Sequence, residues 1–426
     1  MTPPAPPPQR RPLLELVALY AAEGIPYGFF AQGLPVYFRE HGESLSKIGA
    51  LGLLYLPWAL KGFWAPWVDA HHVPGFGRRR TWILGTQVAL VLCCALAAWL
   101  LGFVPFTALW PLVVVVNVLS ATQDIAVDGY AVSRLTSRTR GLGNAIQVCG
   151  YKGGMLLGGG VLLGVADVVD WQAAMVGLAV SLALVLPFSW RLKEDEQPPV
   201  EMPGGQGARG VALATLAALV NAPGMPALLL LVTTVKVGEA AASAMLKPAL
   251  VDHHFTATDV ALWVGTLGLG ASLLGSALGG WLVTALPRRR ALLAGVVLQA
   301  AGLLSLAPLL LTPGHWLGVG LVVEHLVTGI LTTVLFTFMM DAVDPRFGGT
   351  QYSILASLVV VGTGTGSTLS GVLADAVGYG PLFVGAAVLT LAHLGLVAPA
   401  DAARARATAA REAAEKAEAP LLGGAS

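Results

Sequence analysis

The stretch PLVVVVNVLSATQDIAVDGY, residues 111–130, is apolar enough at its start for the interior of a lipid bilayer, yet it carries two carboxylates, Asp124 and Asp128. What surrounds it decides how they are tolerated. The chain of 426 residues is 55% hydrophobic and only 12% charged, with a mean hydropathy of +0.72. A soluble chain of this size carries about 25% charged residues. Apolar runs of about twenty residues recur from end to end, the pattern of many transmembrane helices rather than of one large core. The formal net charge is +1, which gives no nucleic-acid footprint. Cys93, Cys94 and Cys149 lie within apolar runs, and the eight histidines show no metal-ligand spacing. Neither a metal nor a cofactor is expected.

Bounding the apolar runs by charges and turn residues predicts spans at 13–38, 46–68, 81–103, 107–133, 140–165 and 171–190. Six more follow at 224–251, 258–286, 291–311, 315–341, 349–375 and 379–398. The domain layout is a flexible Pro-rich lead (1–12), a six-helix half (13–190), a charged linker rich in Pro and Gly (191–223), a second six-helix half (224–398) and a polar, Ala-rich tail (399–426). With the N-terminus in the cytoplasm, 19 of the 25 Lys and Arg residues fall on the cytoplasmic side and only Arg39 and Lys47 in outer loops. Both termini are therefore expected inside. The halves echo each other: the basic triplet ending at Arg80 recurs at Arg290, and Arg140 recurs at Arg346. Two six-helix halves in parallel order describe the major facilitator architecture, an all-α membrane fold. Gly154-x-x-x-Gly158, Gly275-x-x-x-Gly279 and Gly362-x-x-x-Gly366 are sites for close helix packing.

Asp124 lies roughly 15 Å from the inner end of span four at helical rise, near the bilayer centre. Asp128 is one turn nearer the cytoplasm on the same face. A charge at that depth costs at least about 2.5–3.5 kcal/mol, so it needs a hydrated cavity, an opposite charge or a proton. Other deep polar groups are candidates for the same cavity: Glu23, Tyr27 and Gln32 in span one, Gln123 in span four, Asn144, Gln147, Tyr151 and Lys152 in span five, Lys236 and Glu239 in span seven, and Glu324 and His325 in span ten. Asp124 with Lys152, and Lys236 with Glu239, read either as substrate and proton-coupling groups or as purely structural pairs. Asp128 is expected to brace Arg134 or Arg140 at the inner mouth. Asp69 with Arg78, Arg79 and Arg80 reads as an inner gate or packing latch.

Several runs resemble a known family. LPWALKGFWAPWVDAHHVPGFGRRRTWILGTQ (56–87), TQDIAVDGY (122–130), RGLGNAIQVCGYKGG (140–154), KVGEAAAS (236–243) and TTVLFTFMMDAVDPRFGGTQYSILAS together resemble the AmpG-type muropeptide permeases and acetyl-coenzyme A transporters of the major facilitator superfamily. LPVYFREHG, GNAIQVCGYK and TQYSILAS lean toward a vertebrate branch of that family, whereas the Ala, Leu, Gly and Arg bias suggests a GC-rich bacterial genome. The chain lacks the two additional spans of some muropeptide permeases. The resemblance implies spans one, four, seven and ten around a central path, and transport of a small anionic solute, with protons and the lipid bilayer as the other partners and no nucleic acid. A monomer in the bacterial inner membrane is expected, carrying a muropeptide or, alternatively, an acyl-coenzyme A. No GxSxG, P-loop or nucleophile–base pattern favours an enzyme.

Overall fold

The computed structural model describes residues 10–34, 37, 54, 56–136, 139–192, 194, 223–255, 261–309, 315–344 and 348–422. Every element described is helical, because a chain that meets lipid must satisfy its backbone polar groups within each segment. Polarity is arranged inside out. Gln87, Asn117, Gln123, Asn144 and Gln299 are buried, whereas Leu92, Trp99, Leu184, Trp281 and Val372 are exposed. Hydrocarbon as the solvent accounts for that inversion.

The chain forms two compact units. In the first, α1 (Arg10–Gly28) passes into a π-helical turn, Phe29–Gly33. Span two is broken into α2 (Leu56–Leu60), a 3-10 turn (Lys61–Phe63) and α3 (Ala65–Ala70). Next come α4 (Arg78–Leu100) and α5 (Trp110–Arg134). Helix α6 (Arg140–Leu156), a second π turn at Leu157–Val161 and α7 (Leu162–Val168) make span five. Span six is α8 (Trp171–Ala183), capped by Asp170 accepting from the Ala173 N–H at 2.6 Å, followed by α9 (Leu186–Trp190).

The second unit takes in residues 140–145 at the start of α6 and everything from residue 209 onward. Its helices are α10 (Met225–Thr234), α11 (Val237–Asp252), a π-helical segment (Ala261–Gly268) leading into α12 (Leu269–Ala285), α13 (Arg288–Leu309), α14 (His315–Asp341), α15 (Gly348–Val377), α16 (Tyr379–Ala392) and α17 (Leu394–Leu422).

Ten stretches among the described residues are long and apolar enough to cross a membrane, and they coincide with predicted spans three to twelve. Predicted spans one and two are not among them: Glu15 and Glu23 interrupt the first, and much of the second lies outside the described residues, as does most of the linker.

Packing repeats between the units. In unit one, α4 packs on α5 and α8, and α1 on the π turn of span five; in unit two, α13 packs on α14 and α16, and α11 on α15. The glycine pairs explain the last contact in each set. A Cβ at Gly154 or Gly158 would run into the Ala21 or Ile25 carbonyl, and one at Gly362 or Gly366 into the Thr233 or Val237 carbonyl. Gly275 and Gly279 do the same against the Leu326 and Ile330 carbonyls. All three predicted glycine pairs thus sit where backbones touch.

Candidate functional site

In unit one, α5 turns Asp124 and Asp128 to one face, as their four-residue spacing requires. Their cation is Lys61, only 3% exposed, held in the 3-10 turn that breaks span two. Its Nζ forms an ion pair with Asp124 and lies 3.6 Å from Asp128 Oδ2. Asp128 Oδ1 also accepts from Tyr20 Oη at 3.2 Å and from Gln147 Nε2 at 3.1 Å. Glu23 is buried and electrostatically coupled to both aspartates and to Lys61, and its Oε1 has no hydrogen-bond partner among the described residues. Three carboxylates therefore share one ammonium. Beside them Tyr27 stacks edge-on to Trp58 (centroids 5.8 Å apart) and tilted to Tyr151 (5.5 Å), all three rings half-buried.

Several assignments change. Asp124 pairs with Lys61, whereas Lys152 stands half-buried five residues beyond Gln147 on α6. Asp128 faces the cluster and does not brace an arginine: Arg140 bonds Asp341, and Arg134 lies over the Tyr130 ring at 5.8 Å. The reason is rotational, since the face that Asp128 shares with Asp124 looks at α1 and span two. Gln123 points elsewhere, donating to Gln87 Oε1 at 2.7 Å, while Gln87 donates to the Leu182 carbonyl at 2.8 Å. That chain ties α5, α4 and α8 together. Gln32 falls in the Phe29–Gly33 turn, and its side chain lies outside what the structure describes.

Lys61 is the functional candidate that a search for charged pairs between predicted central spans misses. The available signal is PWALKGFWAP, a lysine and a glycine between Pro57 and Pro66 within a predicted span. Two prolines that close together interrupt a helix, and an interrupted helix at membrane depth lines a site.

At the end of unit one near α4, Arg79 forms an ion pair with Asp69, and its guanidinium packs on Gly129, where a Cβ would come within 2.6 Å of Cζ. Arg80 lies 4.4 Å over the Phe76 ring and donates to the Trp190 carbonyl at 2.7 Å. Glu194 accepts from the Arg79 N–H at 2.8 Å and the Arg80 N–H at 3.1 Å, an anion on the N-terminus of α4. Asp69, Arg79 and Arg80 of the predicted latch thus lie in one contact network, with Glu194 added to it.

In unit two, Lys236 stands in a two-residue turn between α10 and α11. It pairs with Glu239 and donates to Thr332 Oγ1 at 3.0 Å. Thr332 donates to the Thr328 carbonyl, and Thr328 donates to Glu324 Oε1 at 2.8 Å. Glu324, 1% exposed, also accepts from Gln299 at 3.3 Å and lies 3.0 Å from His325 Nδ1. Arg140 Nη1 (2.6 Å) and Arg288 Nε (2.7 Å) meet on Asp341 in this unit. Among the described residues no cluster of His, Cys, Asp and Glu is arranged to hold a metal.

Comparison with known proteins places this geometry. Residues 13–169 match the family described as acetyl-coenzyme A transporter 1, and residues 228–424 match the major facilitator superfamily. The anhydromuropeptide permease of Escherichia coli K12 is 30% identical over 373 residues, 87% of this chain and 75% of that protein. The chain belongs to the AmpG-type family of the major facilitator superfamily. Two solved structures share the superfamily's fold at 15% identity. The human organic anion transporter MFSD10 has a TM-score of 0.68, with 92% of this chain and all of that one covered. The transporter FucP in its outward conformation has a TM-score of 0.69, covering 91% and 97%. Membership makes the chain an integral membrane transporter, and the buried ionisable groups the natural candidates for its chemistry.

Proposed function

We propose that this family member is a proton-coupled secondary transporter carrying an anionic solute, most simply a peptidoglycan-derived muropeptide, across a bacterial cytoplasmic membrane with both termini inside. One observation carries the reading: three carboxylates, Glu23 and Asp128 buried and Asp124 partly so, share a single ammonium in unit one. With all ionised, the cluster is two charges from neutral in a low-dielectric setting, so proton uptake and anion binding are the events it responds to. Lys61 offers a cation to an anionic solute in unit one, and the half-buried Tyr27, Trp58 and Tyr151 of the same unit offer ring faces. Asp69, Arg78, Arg79, Arg80 and Arg140 act in gating. The relative at 30% identity, an anhydromuropeptide permease, favours the substrate class.

A second reading, export or import of an acyl-coenzyme A, is favoured by the family match over residues 13–169. Against it, the deep cations are lysines, and phosphate recognition favours the forked geometry of arginine. Purified protein in liposomes under an imposed pH gradient separates the readings through uptake of an anhydro-muropeptide, acetyl-coenzyme A and a dipeptide. Asp124→Asn or Glu239→Gln is expected to abolish gradient-driven accumulation at near-normal folded yield. Accumulation unchanged in both variants ends the coupling assignment.

A further inference from the structure

Lys61 has a more particular place than its charge alone requires. The 3-10 turn that carries it is short and lies between two helices of five and six residues, the form a hinge takes within a span. The turn is tied to α5 through the Trp64 indole, which donates to Thr122 Oγ1 at 3.2 Å, two residues from Asp124. The two aspartates depend on Lys61 unequally. Asp128 keeps neutral donors in Tyr20 and Gln147, whereas Asp124 has the Lys61 ammonium and a hydrogen-bonding contact with the Glu23 carboxyl group, with no neutral donor among the described residues. Asp124 is also the more open carboxylate, its side chain 14% exposed against 2% for Asp128.

We infer that Lys61 receives the carboxylate of the transported solute, and that its transfer from Asp124 to the solute is what loads a proton. This rests on the transport reading above and deepens it. One ammonium serves two competing carboxylates. When the solute takes Lys61, Asp124 loses its ammonium and is left against the Glu23 carboxyl group, with Asp128 beside them. Carboxylates left together without their cation repel, and Asp124 takes a proton from water onto the oxygen that Lys61 freed. The balance is simple: an anion and a proton enter together, the Lys61–Asp124 contact opens, a Lys61–solute contact and an O–H bond form, and the cluster's net charge is unchanged. The half-buried rings of Trp58, one turn before Lys61, and of Tyr27 and Tyr151 select a solute with an apolar or ring face beside its carboxylate.

The test measures solute affinity and proton uptake on binding, by a pH indicator in weakly buffered micelles, for the full chain. The probes are an anhydro-muropeptide, its carboxyl methyl ester, and acetyl-coenzyme A. Wild type is expected to take up a proton with each muropeptide and none with the ester. Lys61→Met is expected to lose its preference for acid over ester by at least about tenfold and to bind without proton uptake. Asp124→Asn should keep the preference and lose the uptake. If Lys61→Met misfolds, the charge-matched pair Lys61→Met with Asp124→Asn replaces it and should likewise bind acid and ester alike. A Lys61 variant that still prefers the acid, or still takes up a proton, overturns the inference while leaving the transport reading intact. Wild type that binds neither anionic probe overturns both.

Discussion

Substitution of Asp341 tests the most heavily charged buried junction of unit two. Its two oxygens each hold a guanidinium, Arg140 Nη1 at 2.6 Å and Arg288 Nε at 2.7 Å, with side-chain exposures of 4% for Asp341, 3% for Arg140 and 15% for Arg288. In Asp341→Asn the amide keeps an acceptor for one arginine and turns an NH2 toward the other. Two like charges, Arg140 buried and Arg288 half-buried, then face each other without their common counter-ion. Breaking one buried pair typically costs about 3–5 kcal/mol. The Arg288 side chain is partly relieved because Nη1 also donates to the Val283 carbonyl, whereas Arg140 Nε has no hydrogen-bond partner among the described residues. The expected loss is therefore about 3 kcal/mol, at the low end of that range. Equilibrium unfolding in mixed micelles, followed by Trp fluorescence, reads it. Replacing all three residues by Leu removes the charges together and should cost far less than the single change, because desolvation consumes most of the attraction in such triads. A loss below about 1 kcal/mol for Asp341→Asn, the range of solvent-exposed pairs, would refute the assignment of a dry, mutually dependent triad.

The glycine contacts give a paired test. Gly362→Ala is expected to destabilise by about 1–3 kcal/mol as its Cβ meets the Thr233 carbonyl. Gly364→Ala, which meets nothing within 4 Å, should be neutral or stabilise by up to about 1 kcal/mol through helix propensity. Equal effects at the two positions, measured by thermal denaturation, would remove the close-packing explanation. Glu194→Ala leaves the Arg79 and Arg80 N–H groups without their acceptor and should cost about 1 kcal/mol, the scale of a lost helix cap. Hydrogen exchange should quicken in the first turn of α4 before anywhere else. Gly129→Ala should dislodge the Arg79 guanidinium that lies against it, reducing transport rate more than solute affinity if the Asp69–Arg79 latch acts in gating.

Helical spans three to twelve were legible because each depends on local composition. Likewise the glycine pairs and the shared face of Asp124 and Asp128 follow from helical spacing alone. Lys61 was harder to read. In an unbroken helix its neighbours would have set its direction, but the break between Pro57 and Pro66 re-aims the side chain toward α5. Asp128 was misread for a related reason: depth follows from counting residues, whereas rotation about α5 follows from which helices pack on it. Glu194 carries no local signal, since its partners Arg79 and Arg80 are 115 and 114 residues away. Lys236 with Glu239 was legible because three-residue spacing fixes the pair within one segment, although the turn that holds Lys236 was not.

The internal repeat bears on which half should hold the proton. Gly154 and Gly158 recur as Gly362 and Gly366, both displaced by 208 residues, and the carbonyls they press on, of Ala21 and Ile25, recur as those of Thr233 and Val237, displaced by 212. The same 208-residue step carries Asp124 to Thr332, and each receives a lysine: Lys61 bonds Asp124, and Lys236 bonds Thr332. Yet these lysines come from non-equivalent spans, two and seven, so the packing repeats while the charges do not. A hydroxyl at the second position can orient an ammonium but cannot store a proton's charge, and Lys236 completes its pairing with Glu239 from its own segment. In the first unit the ammonium is outnumbered by carboxylates, and any anion that engages it must leave an acid behind. On the proposed reading, that asymmetry makes the first unit the place where the solute takes the ammonium and the proton takes the carboxylate it leaves, while the second unit's lysine stays paired within its own segment.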